Sequence, residues 1–98
     1  MIELKSDLIE QYLKINDDII AIFGSNQCKH CIDLKPKLYE LSQQHPEKEI
    51  IYIDCDKFPK AADLYDIEEL PTVIHFVRQR PLEEFISTNI NKIKNLWI

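Results

Sequence analysis

Two cysteines three residues apart, Cys28 and Cys31, enclose Lys29 and His30. They follow an apolar run at residues 19–23 and open a stretch in which Cys31, Leu34, Leu38 and Leu41 recur at helical spacing. Positions three apart on a helix share a face, so the two sulfurs can close a small disulfide ring in the first turn. A helix N-terminus carries unpaired N–H groups and partial positive charge. Both favour the thiolate, which is the nucleophilic form. The Lys29 ammonium and an imidazolium at His30 act in the same direction. A stabilised thiolate is a stabilised reduced form, so these neighbours make the disulfide more oxidising. The chemistry this predicts is dithiol–disulfide exchange.

The rival chemistry for such cysteines is metal binding. Zinc takes about four ligands, and Cys28, His30, Cys31 and Cys55 make four on paper. However, the chain holds no second CxxC and no His pair, and His30 sits on the same tight turn. No metal is expected; a metal or iron–sulfur site remains the lesser alternative. Cys55, between Asp54 and Asp56, reads as a passive thiol whose acidic neighbours raise its pKa. Asp33 is the one carboxylate close in sequence to the pair. His75 reads as a packed, hydrogen-bonded strand residue, and His45 as a helix-end contact. Trp97 reads as core or a C-terminal anchor.

The surrounding pattern supplies the elements that must hold the pair. A short strand at residues 2–4 leads to a helix over about 7–14, with Ser6 as its cap. Residues 19–23 are continuously apolar, as in a strand covered on both faces. Gly24, the only glycine, falls in the next loop, where backbone freedom is useful. The helix then runs over about 28–44, with Pro36 expected to kink it. Strands follow at 49–54 and 72–77, separated by a short helix over 58–65. Pro81 marks a hairpin, residues 82–86 a last edge strand, and Ser87 or Thr88 caps a closing helix with Ile90, Ile93 and Trp97 on one face. The order β-α-β-α-β-α-β-β-α predicts an α/β fold with a mixed central sheet of four to five strands and helices on both faces.

Ninety-eight residues suit one domain, residues 1–98. The formal net charge of −5, with no run of Lys or Arg, argues against binding nucleic acid through its phosphates. Three cysteines are too few for a secreted disulfide framework. No stretch reaches membrane-spanning length, and residues 1–5 lack the apolar core of a signal peptide. A cytoplasmic protein, without membrane or nucleic-acid partners, is expected; a monomer is expected as well.

At this point the chain resembles the thioredoxin family over nearly its whole length. The resemblance rests on CxxC opening a helix after a buried strand, on Pro36 five residues after Cys31, and on Leu70-Pro71-Thr72 about forty residues further on. It implies the thioredoxin fold and a cis peptide bond before Pro71, facing the sulfurs. It also implies a substrate-binding surface at Gln27, Leu70 and Pro71, where the Leu70 backbone pairs with an extended peptide. Cys28 becomes the attacking cysteine and Cys31 the resolving one, with Lys29 and His30 tuning the potential. No cofactor is needed beyond the Cys28–Cys31 disulfide itself.

The departures bear on mechanism. Gln27 stands where thioredoxins carry Trp, and Lys29-His30 replaces Gly-Pro; a His before the second cysteine resembles the protein disulfide isomerases. The buried Asp and Lys of the family fall on Ile22 and Ile50. Losing both members of a buried pair avoids a stranded charge, but it removes the proton acceptor for Cys31. Slow resolution of mixed disulfides is therefore expected. The expected function is a thiol–disulfide oxidoreductase acting on protein or low-molecular-weight disulfides and fed by a thiol or reductase donor, with its direction left open. The alternative is a non-catalytic thioredoxin-fold module that docks a protein partner.

Overall fold

The computed structural model describes residues 1–97. Its strands are β1 (Ile2–Glu3), β2 (Asp18–Gly24), β3 (Glu49–Asp54), β4 (Thr72–Val77) and β5 (Arg80–Ile86). The helices are α1 (Ile9–Tyr12), α2 (Lys29–Gln44), α3 (Pro59–Leu64) and α4 (Ile90–Lys94), and a 3-10 turn at Asn95–Trp97 follows α4. The sheet order is β1-β3-β2-β4-β5. Strands β1, β3 and β2 run parallel, while β4 and β5 are antiparallel to their neighbours.

Alternation along β2 explains both the continuous apolar run and the two-sided core. Ile19, Ala21 and Phe23 join Leu4, Ile9, Leu13, Ile51, Ile53, Ala61, Ile74 and Phe76 on one side. Ile20 and Ile22 join Leu34, Leu38, Leu41, Ile50, Tyr52, Val73, Ile93 and Trp97 on the other. Successive strand side chains point to opposite faces, and a strand covered on both sides has no polar position. Leu34, Leu38 and Leu41 of α2 are buried; each such side chain contributes about 1.5–3 kcal/mol.

Several boundaries differ from the sequence expectation. Helix α1 starts at Ile9 because the Ser6 hydroxyl accepts the amide of Leu8 rather than capping a helix from residue 7. Helix α2 continues through Pro36, which cannot donate to the carbonyl of Ile32. Pro81 lies inside β5 and not in the turn; at a sheet edge its missing N–H faces no partner strand. The turn is made by Arg78 and Gln79, both with positive φ (51° and 70°). That is the pattern of a two-residue hairpin whose twist suits the flanking strands. Opposite His75 and Phe76 stand Glu83 and Pro81, so Leu82 is an unpaired bulge residue. The cap of α4 is Asn89, whose side chain accepts the Asn91 amide at 2.9 Å, and not Ser87 or Thr88.

A polar network fastens the end of the sheet where β2 begins. Asp18 Oδ1 lies 2.7 Å from His75 Nε2 and accepts the Trp97 indole N–H at 2.9 Å. The Lys48 ammonium lies 3.8 Å from Asp18 Oδ2 and donates to the Trp97 carbonyl at 3.2 Å. Among the described residues, no helix is long and apolar enough to cross a membrane.

Candidate functional site

The opposite end of β2 carries the cysteines. Gly24 ends the strand, and residues 25–27 form a loop into α2. The loop is held from several sides. The Ser25 hydroxyl donates to Asp56 and accepts the Gln27 amide at 3.0 Å. The Cys28 amide bonds to the Ser25 carbonyl at 3.2 Å, and the Cys55 amide to the Gly24 carbonyl at 2.9 Å.

Cys28 is the N-cap residue of α2, with extended φ −97° and ψ 112°. Its Sγ accepts the Cys31 amide at 3.3 Å. A sulfur in this place satisfies one of the unpaired N–H groups of the first turn. The interaction strengthens if the sulfur is negative. Cys28 is half-buried, whereas Cys31, one turn on, is fully buried. Burial, and then the contact with Cys28, push the Cys31 thiol up to about 12. The pair therefore consists of a reachable sulfur at a helix N-terminus and a protected one behind it. All three cysteines are free thiols.

Lys29 and His30 are the first exposed residues of α2, and Gln27 is exposed before them. The register Phe23↔Thr72 sets Leu70 and Pro71 at the same end of the sheet as the cysteine loop. The Leu70–Pro71 peptide bond is cis, and the Thr72 hydroxyl donates to the Glu69 carbonyl. Pro71 is buried and Leu70 half-buried. The sequence-derived residues Gln27, Cys28, Lys29, His30, Cys31, Leu70 and Pro71 thus share one end of the molecule.

The four-donor set of Cys28, His30, Cys31 and Cys55 does not assemble. No group of three or more His, Cys, Asp or Glu side chains among the described residues is placed to hold a metal ion. Burial, followed by Asp54 and Asp56, pushes the Cys55 thiol up to about 11. Desolvation thus outweighs the acidic neighbours named from the sequence. Asp33 lies exposed on α2.

Two features lie beneath the pair, and the first differs from expectation. Gly24 does not have positive φ, so conformational freedom is not its role. A Cβ there would collide with the Tyr52 hydroxyl and lie 2.9 Å from the Tyr52 Cζ and 3.3 Å from the Cys31 Cβ. Glycine is required for space. Ile50 faces Ile20 across the β2–β3 pairing, and the residue that faces Ile22 is Tyr52. The floor of the site is therefore not purely aliphatic. Tyr52 was legible as the one aromatic among the aliphatic residues of its strand, on the same alternation as Ile50.

A pocket of about 230 Å³ opens beside this floor. Lys5, Asn26, Lys35, Tyr52, Asp54 and Lys57 line most of it. On its rim Glu3 is bound by the Lys35 ammonium and accepts the Tyr39 hydroxyl at 2.7 Å, which joins β1 to α2. These contacts hold the Glu3 carboxyl below its usual range, Lys35 first and Tyr39 second.

Comparison with known proteins agrees with this architecture. The Thioredoxin family profile matches residues 1–96. Thioredoxin Y1, chloroplastic, of Arabidopsis thaliana is 32% identical over 89 residues, covering 86% of this chain and 52% of that protein. The chain spans about half the length of the first curated relatives it matches, 49% for Thioredoxin-2 of Pyricularia oryzae. The crystal structure of Fasciola hepatica thioredoxin superposes with a TM-score of 0.91 at 24% identity, over 98% of this chain and 95% of that one. Sequence profile, sheet order and the position of the CxxC converge on one conclusion: the chain belongs to the thioredoxin family.

Proposed function

We propose that the protein is a thiol–disulfide oxidoreductase that exchanges the Cys28–Cys31 pair with protein or low-molecular-weight disulfides. The observation that carries this reading is the Cys28 sulfur at the N-cap of α2, accepting the Cys31 amide at 3.3 Å, with Cys31 buried behind it. Family membership supports thiol–disulfide chemistry in general.

In the reducing direction, Cys28 attacks a substrate disulfide and forms a mixed disulfide, releasing one substrate thiol. Cys31 then attacks the Cys28 sulfur. The bond between Cys28 and the substrate breaks, and its electron pair leaves on the substrate sulfur. That sulfur takes up the equivalent of the proton lost by Cys31. Two electrons pass to the substrate, and the Cys28–Cys31 disulfide remains for an external thiol or reductase to reduce. Lys29 and His30 set the potential by favouring charge on Cys28. Gln27, Leu70 and Pro71 form the surface against which substrate lies, with the Leu70 backbone pairing to an extended segment. Three cysteines, too few for a secreted disulfide framework, suit a reducing compartment of cytoplasmic type.

Trapping tests the roles directly. Cys31→Ala accumulates mixed disulfide with a model substrate, and Cys28→Ala is inert. If Cys31→Ala traps nothing while Cys28 still reacts with alkylating agents, the assigned roles are wrong. A Cys28→Ser/Cys31→Ser double variant that keeps its biological function replaces this reading with a docking module.

A further inference from the structure

Ser25 reaches both cysteines through its main chain. Its carbonyl accepts the Cys28 amide at 3.2 Å. Burial, then the contact with Cys28, raise the Cys31 thiol, and a hydrogen bond from the Ser25 main chain works against them. A hydrogen bond has that effect when it is donated to the charged sulfur, and the main-chain donor is the N–H. One residue thus fixes the backbone under the attacking sulfur and serves the charge on the resolving one. The Ser25 hydroxyl makes two further bonds. It accepts the Gln27 amide at 3.0 Å and donates to Asp56 Oδ2.

Asp56 is a fixed anchor. It lies in the turn after β3, where its amide donates to Asp54 Oδ1 at 3.0 Å. In the same turn the Asp54 carbonyl accepts the Lys57 and Phe58 amides at 3.1 and 2.9 Å. Asp54 stands opposite Gly24 in the β2–β3 pairing. Ser25 is buried, whereas Asp56 is exposed. A hydrogen bond to an exposed carboxylate largely replaces one to water, so it adds little net stability. What the bond fixes is the place of Ser25, and with it the main-chain groups that meet the two cysteines.

We propose that Asp56 is a positioning residue for the resolving step: its carboxylate holds the Ser25 hydroxyl, and so holds the Ser25 main chain that orients Cys28 and Cys31 for reaction with each other. The proposal rests on the oxidoreductase reading above. In that step Cys31 loses a proton and a Cys28–Cys31 bond forms. The bond from Cys28 to substrate breaks, its electron pair leaves on the substrate sulfur, and that sulfur is protonated. Asp56 and Ser25 neither take nor give a proton. Their contribution is geometric. Reacting groups held in register behave as if at high local concentration, and a donor fixed before charge appears needs no reorganisation. Asp56 also carries a charge beside Cys55, whose thiol is raised by burial, then Asp54, then Asp56. Asparagine keeps the acceptor oxygen and removes that charge, which separates the two effects.

The test mixes the reduced full chain with one equivalent of an aromatic disulfide whose released thiolate is coloured. The first release reports attack by Cys28, and the second reports attack by Cys31. Asp56→Ala and Ser25→Ala are each expected to change the first phase by less than about twofold and to slow the second about tenfold. Their double variant is expected to be no slower than either alone, because one bond is lost in all three. A tenfold loss in closure of the Cys28–Cys31 ring also raises the reduction potential by about 30 mV. Asp56→Asn restores the second phase and the potential. A second phase and a potential at wild-type values in Asp56→Ala overturn the proposal. So does an Asp56→Asn variant as slow as Asp56→Ala, which marks an effect of charge. Slowing of both phases together with a lower urea midpoint marks a purely structural residue and overturns it as well. If the wild-type protein shows no first phase, the oxidoreductase reading fails and this proposal falls with it.

Discussion

His75 Nε2 lies 2.7 Å from Asp18 Oδ1 across the β2–β4 pairing. The same oxygen accepts the Trp97 indole N–H. One carboxylate thus holds two strands and the C-terminal turn together, at the end of the sheet opposite Cys28. Asp18→Ala leaves the Trp97 N–H and His75 unpaired in buried surroundings. We expect a stability loss of about 2 kcal/mol and a fall in Tm of about 10 °C. Urea unfolding measures it. The reduction potential is expected to stay unchanged, since the network does not touch the cysteines.

Gly24→Ala is expected to cost about 1–3 kcal/mol, the usual penalty for overfilling a packed core. In a Tyr52→Phe background the loss should shrink, because the colliding oxygen is gone, but not vanish, because the ring carbon remains 2.9 Å from the new Cβ. A double-mutant cycle by chemical denaturation reads the coupling. Strict additivity would refute the steric account of this glycine.

The three thiols should separate by reactivity. With its pKa pushed up to about 12 from an ordinary 9.0, Cys31 carries about a thousandfold less thiolate at neutral pH than an ordinary cysteine. Brief alkylation of the reduced protein at pH 7 should mark Cys28 and leave Cys31 and Cys55 unmarked. Mass spectrometry of the digested protein checks the order.

Alkaline pH should destabilise the fold. Cys31 and Cys55 hold their protons to about 12 and about 11 when folded, against an ordinary 9.0. The unfolded chain therefore binds fewer protons above pH 9, and stability falls as pH rises. The contribution is fully present below pH 9 and is lost as pH climbs through 11 and 12. Urea midpoints at pH 8, 9 and 10 give the slope. Cys55→Ala should flatten it.

Which features could be foreseen follows from how local their causes are. Strands 49–54 and 72–77 were read to the residue because a buried strand leaves a near-continuous apolar run. The cysteine pair and Pro71 were legible from type and spacing. The Arg78–Gln79 turn was not, because two non-glycine residues adopt positive φ without the usual Asn-Gly signal. The role of Asp18 depends on His75 and Trp97, which lie 57 and 79 residues away. Gly24 was recognised as special for the wrong reason. Its requirement is set by Tyr52, which only strand pairing brings beside it. Single-residue signals carry chemistry and punctuation, whereas shared partners appear only once the chain is folded.

The bulge at Leu82 bears on self-association. A stack of sheets grows by adding chains along an open edge, and it needs an uninterrupted row of backbone donors and acceptors. One open edge here is β5, where Pro81 lacks a donor and Leu82 breaks the register. The other is β1, only two residues long. Both rims of the sheet are poor templates for fibril growth, although the strands between them are among the most apolar segments of the chain.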